Sequence, residues 1–254
     1  MMVVEVVLLA VLGLILGSFL NVVAYRLPVG ENWVSERSRC PHCKEQIAGY
    51  DNIPVLSWLL LRGRCRHCGA RISARYPLSE LGLAAAFVGV YFRFEDDWWL
   101  IVLGCVFVST LLVVTLTDVE DQIIPNEVLL VSLVAGIVLA VLADQGDLDT
   151  RAISAAIAFV VLFLVALVYP SGMGMGDVKL AGLMGVYLGR AVAPALLAGF
   201  LFGAVFGLAL IAKNGSAARK QKVPFGPFLA LGGLVGLFYG EEIVDWYTDS
   251  FFDG

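Results

Sequence analysis

Residues 98–117 read WWLIVLGCVFVSTLLVVTLT, twenty residues without a charge, and the residue that follows is Asp118. A hydrocarbon core about 30 Å thick is crossed by about 20 apolar residues in a helix. Lipid offers a backbone amide no hydrogen-bond partner, so a crossing segment of this composition must be helical. The stretch therefore predicts a membrane-spanning helix that ends at a carboxylate.

The chain as a whole has the composition of a membrane protein. Of its 254 residues, 59% are hydrophobic and only 15% are charged, and the mean hydropathy is +0.87. A soluble domain keeps about 25% of its residues charged, so much of this surface must face the lipid bilayer. The sequence has no basic run of the kind that binds nucleic acid, which argues against a nucleic-acid partner.

Seven further apolar segments predict an all-α polytopic membrane protein with about eight transmembrane helices. The first segment is too long for a cleaved export signal and carries Glu5 where a signal is basic, so we expect a retained span. Segment 178–189 is short and rich in glycine. The predicted spans are 3–25, 78–94, 98–117, 127–143, 152–169, 178–189, 192–212 and 223–240.

Basic residues divide unequally between the two sides that eight crossings define. One side collects 14 of the 17 lysines and arginines, and the other side holds only Arg93, Arg151 and Arg190. The positive-inside rule makes the first side cytoplasmic and places both termini outside. Without span 178–189 the basic cluster in 213–222 would lie outside, so the charge distribution favours keeping that span.

The segment between the first and second spans is the only part with the composition of a soluble domain. It divides the chain into a first transmembrane helix, 1–25, a cytoplasmic insert, 26–77, and a seven-helix membrane domain, 78–254. The apolar run 53–61 within the insert is too short to cross a bilayer and contains Pro54. We expect this run to form the small core of the insert.

Four of the five cysteines form two Cys-x-x-Cys pairs in the insert, with 21 residues between the pairs. Two such pairs can surround one tetrahedral zinc ion, and four thiolates leave no open position for a substrate water. The pattern predicts a structural zinc site. The alternative, two disulfides, is disfavoured in a reducing cytoplasm. The four predicted ligands are Cys40, Cys43, Cys65 and Cys68.

Two aspartates are the candidates for chemistry. Asp118 ends the third span, and Asp177 lies in the glycine-rich segment GMGMGDVK, 172–179, where the sixth span begins. The eight-span topology places both at the same depth on the same face. Two carboxylates brought together cannot both ionise, so the pair offers a base to activate water and an acid for the leaving group. The alternative is that both are helix-end acids, with Asp177 as an N-cap.

These motifs together resemble the type IV prepilin peptidases, a family of GxGD-type intramembrane aspartyl peptidases. Gly174, Gly176 and Asp177 resemble the family's GxGD signature, as does Asp118 followed by Ile-Pro-Asn at 124–126. Three further stretches resemble the family in order and spacing. They are GSFLNVVAYRLP at 17–28, IPVLSW at 53–58 and PFGP at 224–227.

The resemblance implies a bacterial inner-membrane enzyme of type IV pilus assembly and protein secretion. Asp118 and Asp177 would be the catalytic pair of an aspartyl endopeptidase that cleaves prepilin and pseudopilin leaders at the cytoplasmic face. Relatives with a cysteine insert such as 26–77 also methylate the new amino terminus from S-adenosylmethionine. No glycine-rich nucleotide loop marks that cofactor's site, so methyl transfer rests on resemblance alone. Two alternatives are a transporter with functional acidic residues and a non-catalytic, zinc-dependent membrane assembly factor.

Overall fold

The computed structural model describes residues 2–32, 37–95, 97–143, 147–169, 172–215 and 223–251. Within these ranges, strand pairing is limited to two isolated bridges, Arg39 with Gln46 and Arg64 with Arg71. Short 3-10 helices cover Gly49–Asn52 and Gly189–Ala191. The α-helices are α1 (Met2–Arg26), α2 (Leu56–Leu60), α3 (Arg75–Arg93), α4 (Trp98–Asp121), α5 (Asn126–Ala143), α6 (Leu148–Val168), α7 (Met175–Leu188), α8 (Val192–Asn214) and α9 (Gly226–Phe251). The all-α prediction is confirmed. Part of the basic cluster that we predict to be cytoplasmic, residues 216–222, lies outside the described residues.

Helix α4 shows how the local sequence sets the ends of a span. Asp97 caps its amino terminus, where one carboxylate oxygen accepts hydrogen bonds from the amides of Trp99 at 2.8 Å and Leu100 at 3.1 Å. At the other end Gln122 adopts the left-handed conformation, with φ 55° and ψ 38°. A left-handed residue followed shortly by Pro125 is a common helix stop. The helix therefore extends one turn beyond the apolar run and includes Asp118.

Among the residues that the structure describes, six segments are long and apolar enough to cross a membrane, as expected of a multi-pass membrane protein. The predicted count of eight is not confirmed, for two physical reasons. Helix α3 carries Arg75, Glu80 and Arg93, which lower its hydropathy. Helix α7 has 14 residues, about 21 Å at 1.5 Å per residue, and it continues after a single 3-10 turn into α8. The six segments are Met2–Arg26, Trp98–Asp121, Asn126–Ala143, Leu148–Val168, Met175–Asn214 and Gly226–Phe251.

The first compact unit, Met1–Glu95, contains α1, the insert and α3. Helices α1 and α3 run antiparallel, with Gly13 beside Ala84 and Gly17 beside Glu80. A Cβ atom at Gly13 or Gly17 would lie 2.6 or 2.8 Å from the Cα atom of its neighbour, so only glycine allows this approach. The division into 1–25, 26–77 and 78–254 stays a prediction.

The apolar run 53–61 does not form the core that we expected for the insert. Leu59 and Leu60 in α2 are 58% and 74% exposed. The buried residue of this helix is Ser57, whose hydroxyl donates to the carbonyl of Tyr50 at 2.9 Å. The indole of Trp58 donates to the carbonyl of Ile72 at 3.1 Å. Because the insert is too small to bury much apolar surface, hydrogen bonds replace an apolar core here.

The second compact unit, Asp96–Gly254, contains α4 to α9, and consecutive helices run in opposite directions. Small residues bring the helix backbones together, with Gly185 of α7 against Ala155 of α6 and Gly232 of α9 against Ala195 of α8. Such contacts drive helix association in lipid, where the hydrophobic effect is absent between apolar helices. The alternation brings the last turn of α4 and the first turns of α5, α7 and α9 to one end of the unit.

Candidate active site and metal centre

Asp118 and Asp177 come together at this end of the second unit. Asp118 lies in the last turn of α4, and Asp177 lies in the first turn of α7. Helices α4 and α7 pack against each other, and the two carboxyl groups lie within electrostatic reach. Their residues are 7% and 8% exposed. The expectation that the two aspartates share one depth and one face is in keeping with this geometry.

Asp118 is held by the start of α9. The amide of Gly226 donates to Asp118 Oδ2 at 2.7 Å. A Cβ atom at Gly226 would lie 2.8 Å from that same oxygen and 3.1 Å from the Cβ and Cγ atoms of Asp118. The amides in the first turn of a helix have no intrahelical partner and carry partial positive charge. Gly226 therefore supplies a donor in a space that no larger residue fits.

Asp177 is oriented by its own helix start. The amide of Gly174 donates to Asp177 Oδ2 at 3.1 Å. Gly174 is the N-cap residue and Asp177 the third residue of α7, and its carboxylate accepts from the N-cap amide. Asp177 is therefore a helix-end acid, as the alternative expects, but at the third position and not at the N-cap. The glycine-rich sequence has a steric cause, because a Cβ atom at Gly176 would lie 2.9 Å from the Cβ atom of Ile124.

Other polar residues at this end of the unit have separate roles. Lys179 Nζ donates to Asn126 Oδ1 at 2.8 Å, which joins α7 to the start of α5. Glu120, Asp121 and Glu127 are exposed. The contact that sequence reasoning missed is the one from Gly226, which is 108 residues from Asp118 in the chain. The only available signal was the Gly-Pro pair at 226–227, and this marked a helix entry without naming its partner.

The four predicted metal ligands form one cluster in the first unit. The Sγ atoms of Cys40, Cys43, Cys65 and Cys68 all lie within 4.8 Å of one another. All five cysteines of the chain are free, and the Sγ atoms of Cys40 and Cys68 are 3.9 Å apart. A disulfide needs about 2.05 Å, whereas four thiolates around zinc, each about 2.3 Å from it, lie about 3.8 Å apart. The residues fit a tetrahedral metal site.

Each cysteine pair begins with a sulfur that accepts backbone hydrogen bonds. The amides of Cys43 and His42 point to the sulfur of Cys40, and these bonds lower the pKa of that thiol to about 7. The amides of Cys68 and His67 likewise lower the pKa of Cys65. Both histidines are exposed. The repeated geometry favours the thiolate form, which is the form that binds a metal ion.

Two stretches of the chain match families of known proteins. Residues 11–94 match the bacterial peptidase A24 N-terminal domain, and residues 105–208 match the type IV leader peptidase family. The prepilin leader peptidase/N-methyltransferase of Bacillus subtilis is 34% identical, and the alignment covers 94% of this chain and 96% of that protein. The proteins of the same name from Aeromonas hydrophila and Stutzerimonas stutzeri are 35% and 34% identical. Those alignments cover 94% and 93% of this chain, and 92% and 91% of those proteins.

No solved structure matches the chain. The curated relatives, however, align over nearly their whole length and over both matched domains. This extent of similarity shows that the chain belongs to the type IV leader peptidase family.

Proposed function

We propose that this protein is a prepilin leader peptidase that uses Asp118 and Asp177 as its catalytic pair and also methylates the new amino terminus. The observation that carries the proposal is the convergence of these two buried carboxylates at one end of the second unit. The name of these relatives, prepilin leader peptidase/N-methyltransferase, supports prepilins as substrates and methylation as the second activity. Pseudopilins, which have leaders of the same kind, are included in the proposed substrate class.

Peptide hydrolysis needs an activated water and a proton for the departing amine. In the proposed mechanism, one carboxylate takes a proton from water, and its protonated partner gives one to the leaving nitrogen. The amides of Gly226 and Gly174 hold one oxygen of each carboxyl group, so the other oxygens can face water and substrate. Both histidines of the chain lie in the cysteine pairs of the first unit, so the second unit, which contains both aspartates, supplies no histidine base for a serine or cysteine nucleophile.

We further propose that cleavage occurs at the cytoplasmic face of a bacterial inner membrane, with both termini outside. The division of 14 basic residues against 3 supports this orientation under the positive-inside rule. Lys179 and Lys213 belong to helix ends on the aspartate side of the second unit. The proposed topology keeps eight crossings, with α3 and α7 as the two less apolar ones.

We propose zinc as a structural metal ion and S-adenosylmethionine as the methyl donor of this protein. Cys40, Cys43, Cys65 and Cys68 would hold one structural zinc ion, which ties the two halves of the insert together. S-adenosylmethionine would supply the methyl group. The insert, 26–77, is the methyltransferase-associated domain by its resemblance to the family. The peptidase would be the seven-helix domain, 78–254.

The aspartate pair is tested by three matched substitutions in purified protein. Asp118→Asn and Asp177→Asn should each reduce prepilin cleavage at least 1,000-fold, about 4 kcal/mol of transition-state stabilisation, because asparagine cannot exchange the proton. Asp121→Asn, an exposed carboxylate on the same helix end, is the control and should cleave normally. Cleavage should also show a bell-shaped pH profile that belongs to the coupled pair.

The same variants separate the proposal from its two alternatives. If the protein were a transporter, Asp118→Asn and Asp177→Asn would reduce solute uptake. If it were a non-catalytic assembly factor, neither substitution would impair its function. Near-normal cleavage by either asparagine variant would falsify the aspartyl mechanism.

A further inference from the structure

A cavity of about 550 Å³ lies in the first unit, between the insert and the adjoining ends of α1 and α3. Asn21 of α1 and Glu80 of α3 line it and are 1% and 6% exposed. Trp58 adds an aromatic surface, and Cys40 of the cysteine cluster borders the same space. A volume of this size accommodates a small organic ligand. None of these residues belongs to the proposed aspartate pair.

Glu80 is a buried carboxylate without a cationic partner. Its Oε2 accepts a hydrogen bond from the amide of Val55 at 2.7 Å, and the hydroxyl of Ser18 also bonds to it. Within residues 2–32 and 37–95, no lysine, arginine or histidine pairs with it. A carboxylate can accept about four hydrogen bonds, so acceptor capacity remains. A buried carboxylate of this kind stays ionised only when a positive group or further donors compensate its charge.

Asn21 adds a second acceptor to the same wall. Its Nδ2 donates to the carbonyl of Gly17 at 2.9 Å and to Ser79 Oγ at 2.7 Å. These two bonds fix the orientation of the amide, which leaves Oδ1 as the acceptor. Oδ1 is buried and has no hydrogen-bond partner among the described residues. Because buried polar atoms in proteins nearly always have a partner, this atom indicates a donor that binds from the cavity.

The hydroxyl of Ser57 also presents an acceptor on this wall. It donates its proton to the carbonyl of Tyr50 at 2.9 Å and accepts from the amide of Ile53 at 3.1 Å. A hydroxyl oxygen has two lone pairs, so one of them remains available. The deep wall is therefore rich in acceptors and suits a ligand that carries donors or positive charge.

Two of the basic side chains that line the cavity are engaged elsewhere; the full basic lining is Arg26, Arg39, Lys44, Arg66 and Arg71. Arg26 donates to the carbonyls of Asn32 at 3.2 Å and Arg37 at 3.1 Å. Arg66 forms an ion pair with Asp51 at 2.6 Å. Neither arginine therefore provides the positive charge that Glu80 lacks.

The backbone beside Glu80 is strained. Val55 has φ 59° and ψ −51°, a conformation that β-branched residues rarely adopt. The amide of Leu56 donates to the carbonyl of Pro54 at 2.5 Å, which closes a tight γ-turn of the rare, strained kind. Such strain persists where surrounding contacts enforce it, and it clusters at binding sites. Here the bond from Val55 to Glu80 fixes the turn at the wall of the cavity.

We propose that this cavity binds an organic cation, an ammonium or sulfonium group, against the carboxylate of Glu80 and Oδ1 of Asn21. The apolar part of the ligand would lie beside Trp58, whose ring also attracts cations. This inference rests on the proposed function, because methyl transfer to a new amino terminus involves two such cations. S-adenosylmethionine carries a sulfonium and an ammonium group, and the processed pilin carries a terminal ammonium group.

Calorimetric titration of the purified full-length protein tests the site and identifies the ligand. Two probes test binding of the methyl donor: S-adenosylmethionine and S-adenosylhomocysteine, which lacks the sulfonium charge. Two others test binding of the methyl acceptor: a mature pilin peptide with a free amino terminus and its acetylated form. Glu80→Gln should weaken at least one charged probe about tenfold or more, as expected when a hydrogen-bonded charge is lost. Glu95→Gln, the same change at an exposed residue just after α3 that does not line the cavity, should alter no affinity.

The probes that lose affinity for the Glu80→Gln variant identify which cation the cavity binds. A loss confined to S-adenosylmethionine identifies the sulfonium, a loss shared with S-adenosylhomocysteine identifies the donor's ammonium, and a loss confined to the free peptide identifies the acceptor. Asn21→Ala provides a second variant that leaves the Val55 turn in place, and zinc content and melting temperature check that both variants fold. If the unaltered protein binds the probes and both folded variants bind them equally well, the cation site is wrong. If the unaltered protein binds neither S-adenosylmethionine nor the pilin peptide, the methyltransferase part of the proposed function fails instead.

Discussion

Replacing Gly226 with alanine tests whether the first turn of α9 positions Asp118. The new Cβ atom would lie 2.8 Å from Asp118 Oδ2, whereas ordinary contact begins at 3.4 Å. The carboxyl group must therefore withdraw by about 0.6 Å. Since the present N–H···O distance is 2.7 Å, the bond would stretch beyond the usual limit of about 3.2 Å.

The expected loss follows from this displacement. A misplacement of about 1 Å at a reacting group can lower the rate about 100-fold, so Gly226→Ala should reduce kcat/KM for prepilin cleavage roughly 10- to 100-fold. That range corresponds to about 1.4–2.8 kcal/mol of lost transition-state stabilisation. The melting temperature should change little, because alanine favours a helix over glycine by up to about 1 kcal/mol.

The assay is cleavage of a purified prepilin in detergent, followed over time by mass spectrometry. Gly207→Ala is the matched control, because a Cβ atom at that position in α8 would meet nothing within 4 Å. This control should cleave at the unaltered rate. If Gly226→Ala also cleaves within twofold of the unaltered protein, the amide of Gly226 does not set the position of Asp118.

Two further predictions concern the metal and the membrane. Purified protein should contain one zinc ion per chain; changing Cys65 and Cys68 to serine should abolish it and make the insert protease-sensitive, whereas Cys105→Ser should not. Because a structural zinc contributes on the order of 10 kcal/mol of folding free energy, metal-free protein with a protease-resistant insert would contradict the zinc site. In a Cys105→Ser background, a cysteine at Asp149 should react with an impermeant thiol reagent in intact cells, and one at Asn214 should not. Labelling at Asn214 from outside would reverse the proposed orientation.

The cysteine cluster and the aspartate motifs could be found from sequence because their chemistry is recorded in local spacing. Cys40 and Cys43 are three residues apart in the chain, as are Cys65 and Cys68, and this spacing alone indicates that they bind a common metal ion. Gly174 and Asp177 form a similar local unit, although the pattern did not distinguish an aspartate at the N-cap, just before α7, from one at the third residue of the helix.

The remaining features depend on contacts between distant segments. The bond from Gly226 to Asp118 exists because α9 packs antiparallel to α4, and neither sequence segment contains that information. The burial of Glu80 likewise follows from the close approach of Gly17. The exposed leucines of α2 were misjudged because hydrophobicity alone does not reveal whether a small insert can cover its apolar side chains. The predicted count of spans is not confirmed where charges or a short helix make the signal weak, in α3 and α7.

The contact between α9 and Asp118 also orders the events of biosynthesis. Protein chains emerge from the ribosome amino terminus first, so both aspartates are made once residue 177 has been added. The amide that holds Asp118 arrives 49 residues later, with Gly226, and α9 must then pack against α4. A nascent chain arrested before that point would contain both carboxylates but only one of their two backbone anchors. Under the proposed aspartate mechanism, proteolytic competence would be acquired late in synthesis, which would protect the unfinished polypeptide and its neighbours from an immature protease.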